Sequence, residues 1–288
     1  MVNWPESLVV ELAARRCIVF LGAGCSMTAS RPDNPDVHPP TWPDFLRLIF
    51  DGCNRGEAGD RTKAGELLGA QQYLDCAEIL RSTCIHAPDY SRIVTQTFER
   101  YRPTEVHRLV EQLDQKIVIT TNFDTLYEDH CRQGDATHGY AVLNYYDQGL
   151  INRMRSPTRI IIKAHGCATA PEATILSKSD FFKARATYPA FFKALESLFL
   201  AHTLVFLGYS VSDPDIQLVL ENSTITASSD HPHYALMPRG LHPAIQAAFR
   251  RTYNVEILEF DPANNYAEFL ACLQDLAARV DENRGTQP

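Results

Sequence analysis

No two of the eight cysteines, at positions 17, 25, 53, 76, 84, 131, 167 and 272, lie closer than eight residues apart. That spacing excludes a Cys-x-x-Cys zinc or redox pair. No uncharged apolar stretch reaches the length of a membrane span, because the longest candidate, 191–207, is interrupted by Lys193, Glu196 and His202. There is no run of five or more basic residues and the net charge is −8, so no general attraction to nucleic acid or to an anionic membrane is expected. The opening Met-Val-Asn-Trp-Pro-Glu lacks the basic and apolar regions of a signal peptide. The expected address is the cytoplasm, with the thiols reduced. Neither an internal repeat nor a low-complexity segment is present.

Against those absences stands an ordinary globular composition, 45% hydrophobic and 22% charged over 288 residues. That length suits one large α/β domain or two small ones. The most informative stretch is 17–26, Cys-Ile-Val-Phe-Leu-Gly-Ala-Gly-Cys-Ser. A short apolar run ending in glycines reads as a buried parallel strand opening onto a tight turn. Such a turn brings backbone close to a ligand, and free N–H groups there can hold an anion. It can equally be a bare strand-to-loop turn. The spacing is not Gly-x-Gly-x-x-Gly, since Met27 stands at the third position, and no Gly-Lys-Ser/Thr follows.

Further along, a Pro-rich segment over 28–40 reads as a long loop. Thr41-Trp-Pro-Asp44 reads as a helix start. Helical spacing then continues to about residue 113, far longer than an ordinary crossover, which points to a helical module inserted at about 41–113. Five more apolar strands follow, beginning at Lys116, Arg159, Thr203, Tyr234 and Val255, with helices between them. The expectation is an α/β, Rossmann-like, mostly parallel six-stranded sheet with helices on both faces, forming one unit over 1–288. In such sheets ligands sit at the carboxyl ends of the strands. Here four of those ends carry a glycine turn, Thr-Thr-Asn-Phe-Asp (120–124), His165-Gly166 and Gly208-Tyr-Ser210.

Each end has a functional and a structural reading. Asn122 and Asp124 alternate on an extended segment and face one side, suited to a ribose or a water; Asp124 can instead cap a helix. His165 can take a proton near neutral pH, or be structural. Ser210 can bind ribose or phosphate, or merely begin a turn. Asp213 and Asp215 read as capping residues.

Taken in order, Gly22-Ala-Gly-Cys-Ser26, Thr120-Thr-Asn-Phe-Asp124, His165-Gly166 and Leu207-Gly-Tyr-Ser-Val-Ser-Asp213 resemble the sirtuin superfamily. More closely, they resemble the sirtuin-like NADase domains of bacterial anti-phage defence systems, over about residues 10–275. The resemblance implies that Gly22, Ala23, Gly24 and Ser26 cradle the diphosphate of NAD and that Thr121, Asn122 and Asp124 lie by the nicotinamide ribose. It makes Asn122 and His165 catalytic and places Gly208 and Ser210 on the adenosine side, with no metal. Three departures weigh against protein deacylation. The four-cysteine zinc ribbon is absent, 175–180 reads Ile-Leu-Ser-Lys-Ser-Asp where deacylases carry Phe-Gly-Glu, and Thr121 stands where they carry glutamine. The implied activity is hydrolysis of NAD to nicotinamide and ADP-ribose, or to a cyclic ADP-ribose. A deacylase, a non-catalytic NAD or ADP-ribose sensor, and a scaffold are the alternatives. The resemblance also implies a homo-oligomer and an operon partner such as a HerA-like ATPase or a prokaryotic Argonaute.

Overall fold

The computed structural model describes residues 2–133, 140–227 and 229–286. The chain opens with helix α1 (Glu6–Ala13), strand β1 (Cys17–Leu21) and the one-turn helix α2 (Ala23–Ser26). Five α-helices follow before the next strand: α3 (Trp42–Asp51), α4 (Ala58–Gly69), α5 (Tyr73–Ile79, continued by a π-helical turn over Leu80–Cys84), α6 (Ala87–Phe98) and α7 (Glu105–Gln112). Then come β2 (Ile117–Thr120), α8 (Leu126–Gln133), β3 (Tyr140–Asn144), α9 (Leu150–Arg155) and β4 (Arg159–Lys163). Helices α10 (Lys178–Thr187) and α11 (Pro189–Ala201) lead to β5 (Thr203–Leu207) and α12 (Pro214–Thr226). The chain closes with β6 (His233–Pro238), α13 (Pro243–Tyr253), β7 (Val255–Phe260) and α14 (Ala263–Thr286).

All strand pairs are parallel, in the order β3-β4-β2-β1-β5-β6-β7. The sheet therefore has seven strands rather than the six expected. The extra strand is β3, which pairs with β4 alone and buries only Leu143 of its five residues. An edge strand of that kind lacks the continuous apolar run of a strand buried on both faces. By contrast, all five residues of β1 are buried. Its side chains alternate between two cores: Val19 and Leu21 pack with α1, α7 and α14, while Ile18 and Phe20 pack with α10, α11 and α12.

A third core lies off the sheet, where α3, α4, α5 and α6 enclose Phe45, Ile49, Leu67, Leu80, Tyr90 and Val94. Phe123, from the end of β2, enters this core, edge-on to both Phe45 and Phe98 at 5.9 and 5.7 Å. Aromatic pairs in that geometry add about 0.5–1.5 kcal/mol each beyond burial, so they anchor the helices to the sheet. The long helical stretch between β1 and β2 is thus divided by packing, since α7 belongs to the core beneath the sheet. Thr41 caps α3, accepting from the Asp44 N–H with Pro43 in the first turn. Among the described residues no helix is long and apolar enough to cross a membrane.

Candidate functional site

Strands β1 and β5 are neighbours, yet β1 leads to β2 on one side and β5 to β6 on the other. The chain reverses direction there, and open α/β sheets bind ligands at such a reversal. Two glycine turns meet at this point. Gly22 N–H donates to Leu207 O at 3.0 Å and Gly24 N–H to Gly208 O at 2.8 Å. A Cβ on Gly22 would lie 2.4 Å from Gly208 O, and one on Gly208 only 2.4 Å from Cys25 N. Gly208 also has φ +60°, the left-handed region. The glycines are required because two backbones touch. The amides of Gly22 and Gly24 are engaged in that junction.

On the β2 side the polar ends form a chain of hydrogen bonds. Thr120 Oγ1 donates to Leu21 O and accepts from Asn122 N–H, which turns the backbone out of the strand. Asn122 Nδ2 donates to Ser26 Oγ at 3.2 Å, and Ser26 donates to Asp124 Oδ2 at 2.8 Å. Asp124 Oδ1 accepts from Leu126 N–H and so caps α8. Ser26 and Asp124 are both buried, and their hydroxyl and carboxylate hold the Asn122 amide in place. Beneath them Lys163, fully buried at the end of β4, pairs with Glu128 at 2.7 Å and donates to Asp124 O. Burial disfavours the Lys163 charge, but Glu128 above all, with Cys167 and Asp124, outweighs it and raises the ammonium pKa.

His165 follows β4 and turns sharply at Gly166, whose φ is +81°. Its ring stands edge-on to Phe181 at 5.1 Å. Nε2 lies 3.1 Å from Asp213 Oδ2, with the two side chains 12% and 11% exposed. Burial lowers the imidazole pKa and Asp213 pulls it part of the way back, so the ring is neutral at pH 7. Asp213 Oδ1 meanwhile accepts from the N–H groups of Asp215 and Ile216, capping α12 as expected. Ser210 is exposed and shares a hydrogen bond with Ser212.

These ends open into one cavity of about 760 Å³. Ala23, Gly24, Ser26, Thr121, Asn122, Asp124, His165, Gly208 and Ser210 line it; Gly22 lies behind it in the junction. Ser26 reaches the cavity, but its hydroxyl is already shared between Asn122 and Asp124. Other walls were not singled out from the sequence. Beyond β5 the cavity is apolar, lined by Leu236, Met237, Pro238, Phe260, Tyr266 and Phe269. Pro39 to Pro43 of the Pro-rich loop and Gln71 to Asp75, between α4 and α5 and at the start of α5, also line it. Leu236 to Pro238 sit at the carboxyl end of β6, a position that topology alone marks as a wall. Gln71 to Asp75 carry no such sequence signal. No group of three or more His, Cys, Asp or Glu side chains suited to a metal occurs among the described residues.

Residues 116–258 match the family model of the SIR2-like domain. Over 232 residues the chain is 23% identical to the NAD(+) hydrolase ThsA of Acinetobacter baumannii (strain 532279), covering 80% of this chain and 44% of that protein. A NAD(+) hydrolase ThsA of Enterococcus faecium is 28% identical over 223 residues, covering 76% and 42%. The Defense-associated sirtuin 2 of Bacillus subtilis is 26% identical over 210 residues, covering 71% and 19%. The chain spans less than half the length of these curated relatives. Over residues 116–258, just under half of its length, the chain is similar to the SIR2-like domain.

Proposed function

We propose that this protein is an NAD+ hydrolase that breaks the bond between nicotinamide and ribose. The observation that carries the reading is the cavity itself: about 760 Å³, lying astride the β1–β5 reversal, with Asn122 and His165 on one side only. A dinucleotide placed across such a reversal has its diphosphate at the junction and one nucleoside on each side. The diphosphate lies against Ala23 and Gly24, the adenosine beyond Gly208 and Ser210, and the nicotinamide ribose beside Thr121, Asn122 and His165. Gly22 supports this arrangement from behind, and Asp124 and Ser26 orient Asn122.

Departure of nicotinamide leaves oxocarbenium-like positive charge on the ribose, as in glycoside hydrolysis. Asn122 positions the ribose or the incoming water. His165, neutral at pH 7, removes a proton from that water as it attacks the anomeric carbon. Hydrolysis then gives nicotinamide, ADP-ribose and a proton. If a ribose or adenine atom attacks in place of water, the product is a cyclic ADP-ribose. A positioned general base contributes on the order of 10²–10⁴-fold in rate. None of the roles assigned here calls on a metal.

The relatives named NAD(+) hydrolase and Defense-associated sirtuin support the NAD chemistry and a use in defence, and we assign the activity to NAD depletion during phage infection. On this reading the whole of 1–288 is one catalytic unit carrying the helical insertion, and it works in the cytoplasm. Homo-oligomers and an operon partner of the HerA-like ATPase or Argonaute kind are part of the same proposal and rest on the family resemblance.

The test is purified protein with NAD and no peptide, following nicotinamide and ADP-ribose by chromatography. We expect wild-type turnover, and a loss of at least about 100-fold in both Asn122→Ala and His165→Ala. A wild type silent in every assembly state would overturn the activity. Turnover that survives both substitutions would overturn the site.

A further inference from the structure

We propose that Asp213 is the positioning residue of His165, holding the imidazole as its Nε2–H tautomer so that Nδ1 is the atom that receives the proton. The inference rests on the reading of His165 as the base. Asp213 uses its two carboxylate oxygens for two different purposes. Oδ1 accepts from the N–H groups of Asp215 and Ile216, at 2.9 and 3.2 Å, and Oδ2 lies 3.1 Å from His165 Nε2.

A carboxylate oxygen 3.1 Å from Nε2 favours the tautomer that carries its hydrogen there, because such an oxygen accepts. The ring is neutral, so its lone pair is then on Nδ1, which has no hydrogen-bond partner among the described residues. The ring cannot easily rotate away, because Phe181 meets it edge-on and the chain turns at Gly166 immediately after it. His165 lines the cavity, so the free nitrogen is the one available to substrate.

The other charged and titratable groups near this pair do not compete for His165. Asp215, also on α12, is paired with Arg185 of α10 at 2.6 Å. Tyr209 packs its ring against Phe20 and Phe206. Asp213 is therefore the carboxylate that faces the imidazole. A helix cap alone would not explain the arrangement. Asparagine or serine caps as well as aspartate, and one oxygen suffices. Moreover, β4 and β5 are three strand spacings apart, roughly 14 Å. The segment 208–212 carries Asp213 across that span to reach His165.

Asp213→Asn separates the two roles. Asparagine keeps an oxygen for the α12 amides, so the cap survives. Its NH2 now faces Nε2, which must become an acceptor, and the ring proton moves to Nδ1. We expect an unchanged melting temperature, a kcat lowered on the order of 10²–10⁴-fold, and a KM changed by less than about threefold. Nitrogen NMR of histidine-labelled protein, with His165→Gln to assign the signal, is expected to report Nε2–H in the wild type and Nδ1–H in Asp213→Asn. Wild-type kcat in Asp213→Asn, or a fall in kcat with the tautomer unchanged, would overturn the proposal. A wild type without turnover defeats the hydrolase reading instead, and the NMR signal still decides whether Asp213 sets the tautomer.

Discussion

The two sides of the cleft are built from opposite materials. On the β2–β4 side, half-buried Asn122 and buried Ser26, Asp124, Lys163 and Glu128 form a continuous network of hydrogen bonds and one ion pair. On the β5–β7 side the wall is Leu236, Met237, Pro238, Phe260, Tyr266 and Phe269. A polar network in a low-dielectric interior is held in a single arrangement, because any member left unpaired is costly. An apolar wall gains from area and tolerates variation in shape. The contrast assigns orientation and chemistry to one half and affinity to the other.

That assignment can be broken from the polar side first. Lys163→Met leaves Glu128 buried without its cation, so we expect a loss of about 3–5 kcal/mol in urea unfolding. Adding Glu128→Leu removes the orphaned charge, and most of the stability is expected to return. A small effect of Lys163→Met on its own would mean that the ion pair does not support Asp124.

The smaller expected effect lies on the apolar side. Tyr266 sits in a left-handed stretch, with φ 55°, 56° and 61° at Asn264, Asn265 and Tyr266, which bends the start of α14 and brings the ring to 6.0 Å from Phe260. We expect Tyr266→Ala to raise KM for NAD about tenfold and to leave kcat within about threefold, the pattern of lost uniform binding. A fall in kcat with KM unchanged would place chemistry on this side and erase the contrast.

The sequence exposed the strands that matter most to the site. β1, β2, β4 and β5 are apolar runs that end abruptly in glycine or polar residues, and burial on both faces makes such runs visible. β3 escaped because an edge strand needs no continuous apolar pattern, and Tyr140, Ala141, Val142 and Asn144 are only half-buried. Lys163 was invisible as a core residue, since a lysine at a strand end ordinarily points to water and only Glu128, 35 positions earlier, explains its burial. Ser26 was legible as a polar residue at the site, but its hydroxyl is shared between Asn122 and Asp124, a detail that only tertiary contact sets. Asp213 was legible as a cap. Its contact with His165 joins residues 48 apart across three strand spacings, which no local pattern encodes.

The central claim is that a dinucleotide lies across the glycine junction with its scissile bond on the polar side. A crystal structure of Asn122→Ala soaked with NAD tests it most directly. The account predicts the nicotinamide ribose beside His165, the diphosphate at Ala23 and Gly24, and the adenine among Leu236, Phe260 and Tyr266. A dinucleotide bound in the reverse direction, with adenine against His165, would contradict it.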